Sequence, residues 1–273
     1  MFKFIPIEGL EAEFINPERS TKSSAGFDLF VPGEDAFVLQ SKRSITIDFA
    51  MTIETSAPIV VEVSARSSLY KKKGLVLGKS VYRFYPGESI VIEFCNLTNE
   101  DVTIHPKDVL CQAVVVDSAV EEGILQDPDY FMSMEFVDDL HKVYDNPSCN
   151  LGSTSVFYFQ CPQDMEVPAF SNKLIFSDIK ASFQDDKYLC LKLIDAISEK
   201  RLFLANGIGI VDADYYSNSS NDGNIGFNVY NCNYLPVKIN KGDIIGIGYL
   251  RRYYTTGEVV ETIRGGGFGS TNN

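Results

Sequence analysis

The sequence is poor in the residues on which many metal centres and nucleophilic enzymes depend. Among 273 residues there is no tryptophan, and there are only two histidines and six cysteines. His105 and His141 are the only histidines, and no two cysteines form a Cys-x-x-C pair. A zinc site of cysteine and histidine, or a histidine-based catalytic triad, is therefore not expected. The cysteines lie mostly in apolar runs, which predicts reduced thiols in a hydrophobic core.

Positive charge and long apolar runs are also scarce. Lysine and arginine total 24 against 37 aspartates and glutamates, which gives a formal net charge of −13. Broad binding to nucleic acid draws its affinity from cationic surface, so we expect no nucleic-acid partner. No stretch approaches the roughly 18 to 20 apolar residues of a membrane helix, and the first residues lack the apolar region of a signal peptide. We expect an intracellular, soluble protein with no membrane partner.

Hydrophobic residues make up 45% of the chain, which is enough to build cores of ordinary size. Short runs of valine, isoleucine, phenylalanine and tyrosine recur between turn signals. They cover residues 44–53, 59–63, 88–94, 109–116, 188–193, 225–230 and 244–250. This spacing is typical of a mainly β protein with a sandwich or barrel architecture.

An internal repeat divides the chain. Residues 96–110 align without gaps on residues 231–245, about half the chain further on. The alignment places Asn231 on Asn96 and Asp243 on Asp108. Two strand–turn–strand units can look alike by chance, but this match runs through the turn. The repeat therefore favours two fused copies of one β-domain.

The repeat and the composition together predict four segments. An acid-rich stretch with scattered prolines follows the first copy, as in a solvated connector or insertion. The last residues are rich in glycine and cannot hold a fixed conformation unaided. We predict a first β-domain at 1–117, an acidic connector or insertion at 118–168, a second β-domain at 169–260 and a flexible arm at 261–273.

A pair of carboxylates follows an apolar run in the second copy. The run from Gly209 leads directly to Asp212, and Asp214 and Tyr215 follow. A carboxylate at the mouth of a turn can orient and deprotonate water where bulk solvent is excluded, so Asp212 is a candidate general base. The alternative is that Asp-x-Asp is ordinary turn chemistry. Tyr215 either stacks on a sugar or fills the hairpin.

The glycine-rich tail combines the groups needed to wrap a nucleotide. Arg264 can donate two hydrogen bonds to a phosphate, and the glycines free backbone N–H groups. Phe268 can pack on a base, while Ser270 and Thr271 add hydroxyls. The alternative is a flexible polar tail with no role.

Two segments of the first copy can serve a polyanion. Arg66, Ser67 and Ser68 follow an apolar run and lie close to Lys71–Lys73, which suggests a phosphate site or, alternatively, a solvated turn. Asp28 lies in a Gly-x-Asp turn. A single carboxylate there can hold hydrated Mg²⁺, which keeps several of its waters in proteins.

In chain order these segments resemble the five motifs of the dUTPase family. Residues 25–29 resemble motif 1, 65–69 motif 2, 206–215 motif 3 and 264–271 motif 5. Motif 4 occurs twice. The copy at 107–112 keeps the family glutamine as Gln112, whereas the copy at 242–247 keeps the turn and lacks the glutamine. The resemblance implies two tandem dUTPase-like jelly-roll domains in one chain.

The two copies divide the motifs between them. The first copy carries motifs 1, 2 and 4, and the second carries motif 3. The resemblance therefore implies one composite site per chain, as in the monomeric dUTPases of herpesviruses, rather than the trimer of most family members. It also implies a location in the cytoplasm or, for a viral protein, the host nucleus.

By resemblance, the reaction is hydrolysis of dUTP to dUMP and pyrophosphate by a dUTP diphosphatase. Asp212 activates the water, and Mg²⁺ is held through water near Asp28. The resemblance implies phosphate contacts from Arg66, Ser67, Ser68, Gln112, Ser270 and Thr271, and a γ-phosphate contact from Arg264. By the same resemblance, uracil is recognised by Asn206 and the hairpin that starts at Gly209, and Phe268 contacts the base. Tyr215 contacts the deoxyribose.

Two other functions remain open from the sequence. A binding or regulatory protein that keeps the pocket without turnover is one, because Ser68 stands where motif 2 usually has glycine and residues 216–222 are inserted after motif 3. A dCTP deaminase on a related fold is the other. The uracil-type hairpin and the Phe268 tail argue against the deaminase.

Overall fold

The structure is a computed structural model that describes residues 1–118, 132–137, 156–258, 260–262, 264 and 266–267. The chain forms two compact units. The first comprises Met1–Glu121 and Tyr253–Thr262, and the second comprises Glu122–Arg252 and Ile263–Asn273. Nearly all regular structure in both units is β-strand, so the predicted mainly β class is confirmed.

The first unit is built from twelve strands and one short helix in the part of the chain that the structure describes. They are β1 (Phe2–Pro6), β2 (Glu18–Arg19), β3 (Phe27–Phe30), β4 (Phe37–Leu39), β5 (Ser44–Asp48), β6 (Met51–Thr55), β7 (Ile59–Ala65), α1 (Leu69–Lys73), β8 (Leu75–Leu77), β9 (Tyr82–Phe84), β10 (Val91–Asn96), β11 (Val102–Ile104) and β12 (Val109–Asp117).

The strands of the first unit form one larger sheet and three smaller ones. The larger sheet has the order β2-β3-β12-β7-β9, and a second sheet has the order β5-β10-β8. The remaining pairs are β1-β6 and β4-β11. β10 alternates buried and half-buried residues, as expected of a strand with one face on a core. β7 is buried along its whole length, which fits its position between two neighbours in the larger sheet.

The second unit has the same kind of elements. They are β13 (Met132–Phe136), β14 (Val156–Gln160), β15 (Met165–Val167), β16 (Asn172–Phe176), β17 (Ile179–Phe183), β18 (Lys187–Leu193), α2 (Asp195–Ser198), β19 (Leu202–Leu204), β20 (Gly209–Asp212), a 3₁₀ turn (Ala213–Tyr215), β21 (Gly226–Asn231), β22 (Val237–Ile239) and β23 (Ile244–Arg252).

Strand pairing in the second unit repeats that of the first. The order β14-β23-β18-β20 corresponds to β3-β12-β7-β9, and β16-β21-β19 corresponds to β5-β10-β8. The pairs β15-β22 and β13-β17 correspond to β4-β11 and β1-β6. Only β2 lacks a counterpart among the described residues. The predicted tandem duplication is therefore visible as one topology that occurs twice, each with its own hydrophobic core.

The two aligned asparagines of the repeat form equivalent hydrogen bonds in the two units. The Asn96 side-chain amide donates to the carbonyls of Leu39 at 3.1 Å and Glu100 at 2.8 Å. The Asn231 amide donates to those of Val167 at 2.9 Å and Leu235 at 3.0 Å. Both side chains are fully buried and tie a loop to the end of the strand beside it. The residues repeated in the sequence therefore form a buried hydrogen-bond network in each unit.

Replacing either buried asparagine by alanine destabilises the protein. The change removes the buried hydrogen bonds to the Leu39 and Val167 carbonyls, and an unsatisfied buried group costs about 1 to 3 kcal/mol. We expect Asn96→Ala and Asn231→Ala each to lower the free energy of unfolding by about 2 to 4 kcal/mol, measured by urea unfolding followed by circular dichroism. Asn99→Ala is the matched control, because Asn99 is exposed in the same loop. Equal stability of Asn96→Ala and Asn99→Ala would contradict this role.

The predicted segment boundaries need correction. The segment 118–168 was expected to be a connector, but β13, β14 and β15 lie within it and pair with β17, β23 and β22. The second domain therefore begins before residue 169, and the acidic composition around these short strands hid them. At its other end the domain stops earlier than residue 260, because Tyr253–Thr262 belong to the first unit. Tyr254 there donates its backbone N–H to the Val115 carbonyl at 2.8 Å.

No helix among the described residues is both long and apolar enough to cross a bilayer.

Candidate functional site

Three predicted site residues of the first unit lie on neighbouring strands. Gln112 on β12 stands opposite Asp28 on β3 and opposite Ser64 on β7. Arg66 directly follows β7, and its guanidinium forms an ion pair with the Asp28 carboxylate. Both charged side chains are less than 10% exposed. The pairing of β3, β12 and β7 thus brings the residues of motifs 1, 2 and 4 together.

The Asp28 carboxylate has a partner on each oxygen. Arg66 contacts Oδ1, and the Ser20 hydroxyl donates to Oδ2 at 2.6 Å. A carboxylate oxygen accepts more than one hydrogen bond, so Asp28 keeps capacity for a water. Gly26 allows Gln112 to approach this strand, because a Cβ at Gly26 would lie 2.6 Å from Gln112 Oε1.

Ser67 and Ser68 are less firmly held than Arg66. Both are half-buried between β7 and α1, and Ser68 makes no side-chain capping bond to the helix. Their hydroxyls are therefore accessible to a ligand. The nearby Cys111 is not a nucleophile, because burial raises the pKa of its thiol and keeps it neutral. The five cysteines in the described part of the chain are reduced thiols, as the sequence predicted.

In the second unit, Asp212 is the last residue of β20 and lies at the start of a turn. β20 pairs with β18, with Gly209 opposite Leu191 and Asp212 opposite Tyr188. A Cβ at residue 209 would lie 2.8 Å from Leu191 Cβ, so the close approach of the two strands requires glycine. The strand ends at Asp212, and the 3₁₀ turn follows immediately. The Asp212 side chain is 12% exposed.

Arg264 of the C-terminal arm is held by both carboxylates of this turn. Its Nη2 forms an ion pair with Asp212, and its Nε donates to Asp214 Oδ1 at 2.8 Å. The guanidinium carbon also lies 5.5 Å from the centre of the Tyr215 ring. Burial by itself lowers the pKa of Arg264, but the charges of the two aspartates raise it above its ordinary value overall. Arg264 is therefore a permanently charged partner of the predicted base.

Asn206 and Tyr215, the residues predicted to contact uracil and deoxyribose, are both buried and lie in or close to this turn in the sequence. Asn206 is 6% exposed, and its amide nitrogen donates to the Ile208 carbonyl at 2.7 Å. Its Oδ1 is buried and has no hydrogen-bond partner among the described residues. The Tyr215 hydroxyl donates to the Asn224 carbonyl at 3.0 Å. Burial raises the pKa of Tyr215, so its hydroxyl stays protonated.

The site residues thus form one group in each unit. Asp28, Arg66 and Gln112 meet in the first, with Ser67 and Ser68 next to them in the chain. Asp212, Tyr215 and Arg264 meet in the second, where Asn206 and Gly209 precede Asp212 in the chain. Phe268, Ser270 and Thr271 lie outside the described residues.

Two residues were missed by reasoning from the sequence. Asp214 shares Arg264 with Asp212, and the Asp-x-Asp pattern was the available signal. Asn221 donates to the Tyr215 hydroxyl at 2.8 Å from within the inserted segment, where no motif pointed to it. No group of three or more histidine, cysteine, aspartate or glutamate side chains is placed to hold a metal ion in the described ranges.

Comparison with known proteins gives the family. A sequence model of the dUTPase family matches residues 12–138. The deoxyuridine 5'-triphosphate nucleotidohydrolase of Treponema denticola is 33% identical over 102 residues, which cover 36% of this chain and 70% of the relative. The enzyme of the same name from Psychrobacter sp. is 30% identical over 115 residues, covering 41% of this chain and 74% of the relative.

Among solved structures, the dUTPase of Streptococcus mutans aligns with this chain at a TM-score of 0.43 and 22% sequence identity. The alignment covers 46% of this chain and 98% of the Streptococcus mutans chain. The family match falls mainly in the first unit, where Asp28, Arg66 and Gln112 lie together. The coverage of both curated relatives, together with this motif geometry, shows that the chain belongs to the dUTPase family.

Proposed function

We propose that the protein hydrolyses dUTP to dUMP and pyrophosphate, with Asp212 as the general base. The observation that carries the proposal is the Asp212, Asp214 and Arg264 cluster, in which a poorly exposed carboxylate at a strand end adjoins a phosphate-binding type of side chain. Membership of the dUTPase family supplies the substrate class.

In this mechanism Asp212 accepts a proton from a water molecule as that water attacks the α-phosphorus. The bond from the α-phosphorus to the bridging oxygen breaks, and pyrophosphate leaves. Arg264 binds the γ-phosphate in the same step. The phosphate oxygens compete with Asp212 for the guanidinium. A triphosphate that draws Arg264 away would free Asp212 to act as a base, so that substrate binding itself activates the site.

Uracil recognition rests on the unsatisfied acceptor of Asn206. A buried acceptor without a donor is costly, and the N3–H group of uracil would satisfy Oδ1. Cytosine presents an acceptor at N3, which would face Oδ1 unfavourably. This difference supports dUTP over dCTP as substrate and argues against a dCTP deaminase.

Asn206→Ala should weaken recognition of uracil selectively. Removing one hydrogen bond to the base raises the KM for dUTP by about tenfold or more. The KM for dCTP should change much less, because cytosine gains nothing from Oδ1. Steady-state kinetics with both nucleotides measure the two values. Equal changes in both would show that Asn206 supports the fold and does not read the base.

The residues of the first unit are assigned to the phosphates. Arg66, Ser67, Ser68 and Gln112 bind phosphate oxygens, and Asp28 is the residue that would hold Mg²⁺ through water. A single carboxylate fits this metal, since Mg²⁺ in nucleotide enzymes is held largely by waters and substrate phosphates. When bound, Mg²⁺ supplies charge neutralisation on the triphosphate.

The remaining assignments follow the motif content of the two copies. Neither copy carries all five motifs, and we assign the activity to a monomer. Tyr215 packs against deoxyribose and disfavours ribose. Phe268 packs on the base, and Ser270 and Thr271 bind phosphates.

The proposal is tested by assaying pyrophosphate release with Mg²⁺ from dUTP, dCTP, dTTP and UTP. We expect release from dUTP that greatly exceeds release from the other three. Tight dUTP binding in calorimetry with no pyrophosphate would instead support a binding or regulatory protein that keeps Asp212 locked by Arg264. Ammonia release from dCTP would support the deaminase.

A further inference from the structure

The segment that is inserted after Tyr215 is well fixed in the second unit. The Tyr216 hydroxyl donates to Glu135 Oε2 on β13 at 3.0 Å. Lys180 on β17 lies 5.1 Å from the centre of the Tyr216 ring and 2.8 Å from Asp222 Oδ2. The ion pair with Asp222 raises the pKa of Lys180 and keeps the contact charged. The inserted segment, Tyr216–Asp222, is therefore anchored at both ends.

Two asparagines within the segment form a hydrogen-bond network around Tyr215. Asn221 donates to the Tyr215 hydroxyl at 2.8 Å and to the Asn224 carbonyl at 3.2 Å. Its Oδ1 accepts from the Asn218 amide at 2.8 Å. Asn218 in turn donates to the Tyr215 carbonyl at 2.8 Å and accepts the backbone N–H of Asn221 at 3.2 Å. The position of the Asn221 amide is thus set from several directions.

The C-terminal arm packs on the same two amides. Gly266 and Gly267 are buried. A Cβ at residue 267 would lie 2.9 Å from Asn221 Oδ1 and 3.2 Å from Asn218 Oδ1. Only a glycine backbone can approach the amides this closely. Asn221 therefore touches both the ring of Tyr215 and the arm that carries Arg264.

We propose that Asn221 is a positioning residue that seats the arm and holds Tyr215 in place. This inference deepens the proposed function and rests on it where selectivity is concerned. A ribose 2′-hydroxyl that displaces the Tyr215 ring would disturb Asn221, and with it the seat of Gly267. The inserted segment thus couples the choice of deoxyribose to the seat of the arm that carries Arg264.

The seating of the arm can be measured without any nucleotide. Trypsin cleaves after arginine, and the Arg264 side chain is only 7% exposed. Cleavage after Arg264 therefore requires the arm to leave its seat, whereas Arg201 is exposed in the turn that follows α2 and serves as an internal reference. Mass spectrometry separates the two cleavage products.

Asn221→Ala and Gly267→Ala should each speed cleavage after Arg264 by about tenfold relative to cleavage after Arg201, as expected from one lost packing contact in the first variant and one steric clash in the second. Ser220→Ala is the matched control, because Ser220 is exposed in the same segment. It should behave as the wild type. Gly267→Ala leaves the inserted segment unaltered, so it tests the seat even if Asn221→Ala folds poorly. Wild-type cleavage rates in both variants would overturn the proposal.

Sugar selectivity tests the second half of the inference. Asn221→Ala should lower the ratio of kcat/KM for dUTP to kcat/KM for UTP by about tenfold, while Ser220→Ala leaves it unchanged. A loosened arm with unaltered selectivity would overturn the coupling to Tyr215. If the wild type hydrolyses no dUTP, the proposed function fails, but the protease result still decides whether Asn221 seats the arm.

Discussion

Asp212→Asn lowers the rate of pyrophosphate release from dUTP by about 10² to 10⁴, the range expected when a general base is lost. Asparagine has nearly the same shape as aspartate but cannot take a proton from water. The substrate still binds, so the loss appears in kcat and leaves KM close to its wild-type value. Steady-state and single-turnover kinetics measure the two parameters.

Asp214→Asn is the informative control for this change. Asp214 shares Arg264 with Asp212 and lies two residues away, but it follows the strand end in the 3₁₀ turn. Its loss removes a similar charge and one contact to the same arginine. We expect a smaller loss of kcat than for Asp212→Asn. The reverse order would reassign the general base to Asp214, and unimpaired turnover in both variants would remove an aspartate base altogether.

Deleting the arm produces the second large effect. A chain that ends at residue 263 lacks Arg264 and all that follows, and we expect kcat/KM for dUTP to fall by about 10² to 10³. The loss arises because the cation that we assign to the γ-phosphate is gone. The same pyrophosphate assay measures it, and undiminished turnover would exclude the arm from the mechanism.

Single substitutions separate the guanidinium from the rest of the arm. Arg264→Lys keeps the positive charge but loses the planar donors that bridge Asp212 and Asp214. Arg264→Ala loses both. Activity should therefore fall in the order wild type, Arg264→Lys, Arg264→Ala. An alanine variant that is faster than the wild type would mean that the ion pair with Asp212 mainly restrains the base and that phosphate binding contributes little.

Much of the fold was readable from the sequence because its signals are local. Short apolar runs between turn signals marked many of the strands, such as β10 and β18. The duplication was visible because Asn96 and Asn231 form equivalent buried hydrogen bonds in their own units. The turns around them therefore have similar residue types. The weaker strand β13 escaped because acidic residues flank it in the sequence, and its place is decided by pairing with β17.

The site was readable in residue type but not in contacts. The motif pattern singled out Asp212 and Arg264, yet nothing local shows that residues 52 positions apart form an ion pair. The pairing of Asp28 with Arg66 is likewise a product of strand register. The role of Asn221 could not be predicted from the sequence, for a different reason. It lies in an inserted segment, and only the folded chain places its amide on Tyr215 and Gly267.

The proposed division of the motifs between the two copies is tested most directly by a complementation assay. Arg66→Lys keeps a cation beside the buried Asp28 but loses the guanidinium, and Asp212→Asn removes the base. Pyrophosphate release from dUTP is measured for each variant and for an equimolar mixture. The account predicts that each variant is severely impaired and that the mixture is no more active than the average of the two. Recovery of activity in the mixture, or a wild-type rate in either variant alone, would contradict it.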